Sequence, residues 1–212
     1  MHSDFADIPF SNPVESMSGF DLDVQWFPQF ISSGQEYFEA LRTELPWRSE
    51  KIQIFGRSVP IPRLQSWHGE REAKYRYSQL DLTPEPWTKT LLEIRERLRQ
   101  LRPDIEFNSV LANLYRDGRD SMGWHSDDEP ELGAEPVIAS LSLGAMRTFR
   151  FRHKTRRDLK PISLDLPSGS LLWMEGKTQQ QWQHCLPKRT GRNDPGPRIN
   201  LTFRQILLLD RR

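Results

Sequence analysis

The 212-residue chain has a single cysteine, Cys185. An intramolecular disulfide is therefore impossible, and a cysteine-based zinc site is excluded. No apolar run approaches the ~20 residues of a membrane-spanning helix, and the N-terminal region lacks the apolar core of an export signal. These absences lead us to expect an unsecreted protein without membrane association, in the cytoplasm or with the nucleoid or nucleus. Neither sign of charge dominates, since 30 Lys+Arg stand against 29 Asp+Glu, a net charge of +1. Repeats and low-complexity blocks are lacking as well.

What is present is unevenly spread. Residues 1–50 hold 2 Lys+Arg and 9 Asp+Glu, which leaves 28 against 20 for residues 51–212. The larger part is thus basic, as a surface that tracks phosphates should be. The length suits one domain with a sizeable core. Residues 1–20, with Pro9, Pro13, several serines and scattered acids, read as a mobile tail ahead of a single domain over 21–212. Ser32 or Ser33 is placed to cap a helix whose Tyr37, Phe38, Leu41 and Leu45 recur three or four apart, ended by Pro46. A stronger helix is expected to start in Thr83-Pro84-Glu85-Pro86 and to bury Trp87, Leu91, Ile94, Leu98 and Leu101 against a sheet.

Between the helices, residues 51–67 read as a hairpin with an apolar tip at Ile54-Phe55-Gly56. In Lys74-Tyr75-Arg76-Tyr77-Ser78 two aromatics alternate with two cations. From Phe107 onward strands are expected over 107–116, 137–143, 147–153, 161–166, 170–175, 180–185 and 198–208. Many short strands around an internal small-molecule site point to a mainly β, α+β fold: a double-stranded β-helix, or jelly roll, with flanking helices.

The organising stretch runs from Asn113 to Asp128 and ends in His125-Ser126-Asp127. Residues two apart in extended backbone project to one side, so an imidazole and a carboxylate can face a single metal ion. His184 is the candidate third ligand. Two His and one carboxylate leave the opposite face of a metal open, the arrangement of non-haem Fe(II) oxygenases. In Arg198-Ile199-Asn200-Leu201-Thr202-Phe203-Arg204, apolar residues alternate with two arginines and an amide. A guanidinium facing the interior requires an anionic partner, and a small dicarboxylate beside the metal would supply one.

Asn113-x-Tyr115, His125-x-Asp127, His184 and Arg198-x-Asn200-x-x-x-Arg204, in that order, resemble the AlkB family of Fe(II)/2-oxoglutarate dioxygenases. Ile138-Ala139-Ser140, Phe151-Arg152-His153-Lys154 and Pro167-x-Gly169-Ser170-Leu171-Leu172 extend the likeness to its duplex-DNA repair members. The resemblance implies Fe(II) on His125, Asp127 and His184, with O2 as co-substrate. It implies that Asn113 and Arg198 hold the iron-end carboxylate of 2-oxoglutarate, Tyr115 and Arg204 the distal one, with Asn200 assisting. It also implies that residues 21–106 form a nucleotide-recognition lid with supporting helices, and 107–212 the catalytic jelly roll. Phe55 becomes a wedge that fills the gap left by a flipped base, Tyr77 a stacking partner of that base, Tyr75 and Ser78 pocket residues, and Glu129 a group near the base.

The implied reaction is hydroxylation of an N-methyl group on 1-methyladenine or 3-methylcytosine, followed by loss of formaldehyde. The implied partner is DNA, duplex and also single-stranded, met by a monomer. Arg147, Arg150, Arg152, His153, Lys154, Arg156, Arg157 and Lys160 form one cationic run, and Lys188, Arg189 and Arg192 another. From these and the hairpin, Arg63, Arg152, Lys154, Lys188 and Arg189 are the candidates for DNA-backbone contacts. Other readings stay open. A Zn2+ hydrolase could use the same triad but would not need Arg198 and Arg204. A damage-binding module would keep the cations without turnover, and an oxygenase of RNA or protein would keep the whole site.

Overall fold

The computed structural model describes residues 15–207 except 55, 56, 72, 74, 78, 79, 83, 190, 192 and 193, and excludes the side chains of 15–19, 52–54, 57, 75–77 and 80–82. In chain order the elements are β1 (Glu15–Gly19), β2 (Leu22–Phe27), α1 (Gly34–Glu44), β3 (Lys51–Ile54), β4 (Arg57–Pro60), β5 (Leu64–Gly69), β6 (Tyr75–Tyr77) and β7 (Leu80–Leu82). There follow α2 (Lys89–Leu101), β8 (Ser109–Tyr115), β9 (Met122–His125), a 3-10 turn (Pro130–Leu132), β10 (Ile138–Gly144), β11 (Arg147–His153) and β12 (Ile162–Leu166). The chain closes with β13 (Ser170–Glu175), α3 (Thr178–Gln181), β14 (Trp182–Leu186) and β15 (Arg198–Arg204).

Two antiparallel sheets carry the fold, a seven-stranded one in the order β1-β2-β13-β10-β15-β8-β5 and a four-stranded one in the order β12-β11-β14-β9. They form the two facing layers of the expected jelly roll. The alternation in β15 decides which side of the large sheet faces what. Ile199, Leu201 and Phe203 join Ala139, Leu141 and Leu143 of β10 and Leu171 and Trp173 of β13 in one core cluster. Phe38 and Leu41 of α1 and Leu91, Ile94 and Leu98 of α2 pack on that same cluster, so the two helices cover the outer face. The opposite parity of the same strands, Ile138, Leu172 and Met174, joins Phe149 and Phe151 of the small sheet in a second cluster between the sheets. Arg198, Asn200 and Arg204 share that inward parity.

Three sequence expectations need correction. Residues 15–19 of the expected tail pair as β1 with β2, while residues 1–14 lie outside the described residues. The second helix begins at Lys89, not in 83–86, and its cap is Thr88, whose Oγ1 accepts from the Leu91 N–H at 3.3 Å. Pro84 and Pro86 bias the residues before them toward extended backbone. Glu85 accordingly bridges His68 as a strand would, its N–H donating to Trp67 O at 2.9 Å. Strand β9 was not expected, because Gly123 and the charged residues before it hide a four-residue element.

His68 sits inside this bridge, 1% exposed. A carbonyl can only accept, so Nδ1–H donates to Pro86 O at 2.7 Å and Nε2 accepts from Ser66 Oγ at 2.8 Å. Burial pushes its pKa below the usual imidazole value, despite the opposing pull of Pro86 O and Glu85. The folded state therefore favours the neutral ring: the associated stability is complete above about pH 6.5 and is lost as pH falls below it, by at most ~1.4 kcal/mol per unit. Urea midpoints measured from pH 7.5 to 5.5 should show this fall, and His68→Gln should make it shallower.

Gly169, in the turn before β13, has φ +82°, and an added Cβ would collide with Ile31 O. This turn ties α1's approach to the sheet, with Ile31 N–H donating to Gly169 O at 3.0 Å. Gly169→Ala should lower Tm by roughly 4–9 °C in a thermal melt, combining backbone strain with the clash.

Candidate active site

Strand β9 ends at His125, and β14 pairs with it so that His184 lies directly across from His125, with a register irregularity between His184 and Leu186. Asp127 follows two residues after the end of β9. The ligand atoms of His125, Asp127 and His184 all lie within 4.8 Å of one another. His184 Nε2 is 3.7 Å from Asp127 Oδ2, and the two imidazoles meet edge to face at 4.2 Å between centroids. Phe149 stacks on the His184 ring at 5.2 Å and Phe151 meets it at 6.2 Å, which locks the ring's orientation.

Protonation states suit metal binding. Burial, reinforced by His125, pushes His184 down to about 3, so its imidazole is neutral at physiological pH. His125 Nδ1 donates to Gly123 O at 2.9 Å, which leaves Nε2 with its lone pair free. Burial alone would raise Asp127, but Arg204, with His184 and His125, more than offsets it and holds the carboxyl below its ordinary value.

Between the sheets lies a pocket that reaches this triad. Leu111, Met122, Phe149, Met174 and Leu186 supply its apolar walls, none of them expected as site residues from sequence. Its polar side comes from β15 and its neighbours. Arg198, 1% exposed, donates from Nη2 to Asn200 Oδ1 at 2.6 Å and to Ser142 Oγ at 2.8 Å. Its guanidinium lies 5.4 Å from the Tyr115 ring. Burial pushes Arg198 down to about 10, with Tyr115 opposing. Among the described residues no carboxylate pairs with it, and its Nε has no hydrogen-bond partner. Arg204 donates to Asp127 Oδ1 at 2.6 Å. Arg204 thus has a carboxylate partner and Arg198, among the described residues, has none, a charge imbalance that a bound dianion would correct.

A family model described as the 2OG-Fe(II) oxygenase superfamily matches residues 23–204. The chain is 42% identical over 190 residues to the alpha-ketoglutarate-dependent dioxygenase alkB homolog 3 of Mus musculus, covering 85% of this chain and 65% of that protein. It is 44% identical over 163 residues to the DNA oxidative demethylase ALKBH2 of Mus musculus, covering 74% and 67%. The Homo sapiens ALKBH2 is 40% identical over 186 residues, covering 84% and 70%. The chain belongs to the AlkB family of 2OG-Fe(II) oxygenases. It spans about two thirds of the length of these relatives. The solved structure of OsALKBH1 superposes with a TM-score of 0.61 over 86% of this chain and 97% of that one at 19% identity, a likeness of fold.

The family's cofactors are Fe(II) and 2-oxoglutarate, and the residues present fit both. Two imidazole nitrogens and one carboxylate suit Fe(II), and the surplus of buried cations suits the dicarboxylate. The two arginines nevertheless stand at the ends opposite to those expected, while Tyr115 keeps the far end. Antiparallel pairing sets Arg198 opposite Tyr115 and Arg204 opposite Ser109. Arg204 therefore stands at the metal end, against Asp127, while Arg198 and Tyr115 form the far end. Asn113, opposite Asn200, lies one like-facing pair in from Tyr115. Its Oδ1 already accepts from Arg63 Nε at 2.8 Å and Gln65 Nε2 at 2.9 Å, which leaves its NH2 group as the donor available to a carboxylate.

Arg63, expected on the DNA backbone, is thus corrected to a buried residue, 4% exposed, behind Asn113. Arg147 is another charge that looked superficial and is buried. Its guanidinium donates to the carbonyls of Asp117, Asp120 and Pro187 at 2.8–3.2 Å. Arg152 lies over the Trp124 ring at 4.4 Å and donates to Gln183 Oε1, and Lys154 pairs with Asp128 at 3.0 Å. Lys188 and Arg189 are exposed just after β14. Glu129 is half-buried ahead of the 3-10 turn and outside the pocket lining. Tyr75 and Tyr77 lie on β6, which pairs with β7, and their side chains are outside the described residues, as are Phe55, Ser78 and Arg192 altogether.

Proposed function

We propose that this chain is an oxidative demethylase of N-alkylated bases in DNA, acting on 1-methyladenine and 3-methylcytosine. The observation that carries this reading is the His125-Asp127-His184 triad with two buried arginines at opposite ends of one pocket, a set that a hydrolase has no use for. Relatives named DNA oxidative demethylase support the substrate class. Bound Fe(II) and 2-oxoglutarate, with O2, supply the oxidising power that converts an N-methyl group to N-hydroxymethyl while 2-oxoglutarate becomes succinate and CO2. Arg204 orients the carboxylate at the metal end and Arg198, Tyr115, Asn113 and Asn200 the far one; the apolar walls exclude water. The hydroxymethyl group then leaves as formaldehyde, its O–H proton ending on the base nitrogen.

Tyr75, Tyr77 and Ser78 form the base pocket with Glu129 near it, stacking contributing ~1–3 kcal/mol per base. Phe55 fills the gap in the duplex, offsetting part of the unstacking cost. The protein works as a monomer on duplex and on single-stranded DNA, in the nucleus or nucleoid or the cytoplasm; among the described residues no helix is long and apolar enough to cross a membrane. Lys188 and Arg189, with Arg152 and Lys154, line the path of the phosphates. Lys188→Ala with Arg189→Ala should weaken DNA binding uniformly across sequences and reduce the slope of log K against log salt by about 2, read from fluorescence titrations at several salt concentrations.

The deciding experiment is mass spectrometry of a 1-methyladenine oligonucleotide, single-stranded and duplex, incubated with protein and Fe(II), with and without 2-oxoglutarate. Loss of one methylene mass that requires 2-oxoglutarate is the expected result. Succinate without a mass change keeps the oxygenase and rejects this substrate, which turns attention to RNA or protein. Phe55→Ala should slow duplex repair more than single-strand repair, and equal loss on both would remove the wedge role.

A further inference from the structure

We infer that Gln179 is a positioning residue of the metal centre, holding the main chain of Asp127 where its carboxylate faces His125 and His184. This rests on reading those three residues as metal ligands. Strand β9 stops at His125, so Asp127 has no ladder to fix it. Three consecutive tethers take the ladder's place. Ser126 Oγ donates to Trp182 O at 2.8 Å, and the Asp127 N–H donates to Gln179 Oε1 at 3.0 Å. The Asp128 carboxylate accepts from Lys154 Nζ at 3.0 Å, and the same ammonium donates to Gln179 O at 2.9 Å. All three lead to residues 179–182, the segment immediately before His184. The strand that delivers one ligand is thereby stapled to the segment that delivers another.

Gln179 is itself firmly placed. It is 0% exposed and sits on α3, which Thr178 fastens to β2: the Asp23 N–H donates to Thr178 Oγ1 at 2.8 Å and the Thr178 hydroxyl donates to Asp23 O at 3.0 Å. Its Nε2 donates to Met174 Sδ at 3.6 Å, which turns Oε1 toward Asp127. A buried carboxamide is unfavourable unless its hydrogen bonds are made, and a buried N–H left without an acceptor is too. At this spot each satisfies the other. The tether also resists Arg204, which bonds Asp127 Oδ1 at 2.6 Å and draws the carboxylate toward itself. Fixing Asp127 from the main-chain side keeps its carboxylate in reach of the metal.

The test is Gln179→Leu, comparable in size but with no acceptor for the Asp127 N–H. Co(II) binding and the Co(II) absorption spectrum are measured on parent and variant, with circular dichroism to show both are folded. We expect the dissociation constant for Co(II) to rise about tenfold, as for other groups that orient metal ligands, with a changed spectrum. A folded variant that binds within twofold of the parent and keeps its spectrum overturns the inference. Hydrogen exchange of the metal-free parent decides the matter independently should the variant not fold. The Asp127 amide should be protected, and exchange at the rate of an exposed amide overturns the tether. A parent that binds no Co(II) instead overturns the metal reading beneath it, a result distinct from either.

Discussion

Replacing His184 with alanine is expected to abolish succinate formation and to weaken Co(II) binding by at least about 100-fold, beyond what loss of a merely orienting group produces. The side chain is 4% exposed and lies among Phe149, Phe151 and His125, so no water-exposed residue can swing in to replace it. Two ligands on one side of an ion cannot hold it against water. The substitution also leaves a void against the phenyl rings, which should lower metal-free stability by ~1–3 kcal/mol. Asp127→Asn separates the two effects. It keeps the shape and an oxygen that can accept from Arg204, yet loses the charge that favours a dication, so metal binding should fall with a smaller loss of stability. Isothermal titration with Co(II) and urea unfolding of each metal-free variant check both. Retention of 2-oxoglutarate turnover by His184→Ala would falsify the assigned triad.

Arg198→Met is expected to act on 2-oxoglutarate and hardly at all on the empty protein. In parent protein the guanidinium is 1% exposed, bonded to Ser142 and Asn200, with no carboxylate among the described residues. Burial disfavours its charged form, pushing it down to about 10, so at neutral pH the folded protein carries a desolvated cation. A cation buried this way contributes little to stability until an anion arrives, and apolar replacements of buried charges are often neutral or stabilising. Metal-free and ligand-free Tm should therefore stay level or rise. The ligand-dependent part should largely disappear. With Mn(II) present and 2-oxoglutarate at 100 times the parent's Kd, the parent gains about 2.7 kcal/mol by mass action, and a variant binding 100-fold more weakly only about 0.4 kcal/mol. KM for 2-oxoglutarate should rise about 100-fold, the worth of hydrogen bonds to a charged group. A variant that melts several degrees lower on its own but keeps the full 2-oxoglutarate shift would place Arg198 in the scaffold instead.

The two arginines also show where reading a chain stops. Alternation in Arg198–Arg204 put both on one face, because side chains alternate strictly along a strand. Nothing local says which of them lies nearer the metal. That depends on which end of β15 adjoins Asp127, and the antiparallel pairing of β15 with β8 and β10 settles it. Arg63 and Arg147 make the same point about burial. Arg147 lies in a run of cations and Arg63 on the expected hairpin, and both read as surface, yet Asn113 and three backbone carbonyls satisfy them inside. A charge is legible in sequence, but its partners are not, since they come from residues 27 to 50 positions away.

The helices divide along the same line. Phe38 and Leu41, and Leu91, Ile94 and Leu98, were recognisable as buried faces from their spacing alone, because helical period and sheet contact are both local consequences of composition. The start of α2 was not, because Glu85 joins an extended bridge to His68 that only the folded sheet provides. Gln179 escaped notice altogether: a glutamine in a polar run carries no signal until the Asp127 N–H arrives from 52 residues away.

By itself, then, the chain determined the strand and helix faces, the residue types of the triad and the shared face of the two arginines, all of which follow from short-range periodicity and from the chemistry each side chain carries wherever it lies. Tertiary structure alone decided which end of the pocket is which, which cations are inside, and what holds Asp127 in place. Those depend on strand register and long-range hydrogen bonds, and both arise only when distant segments meet.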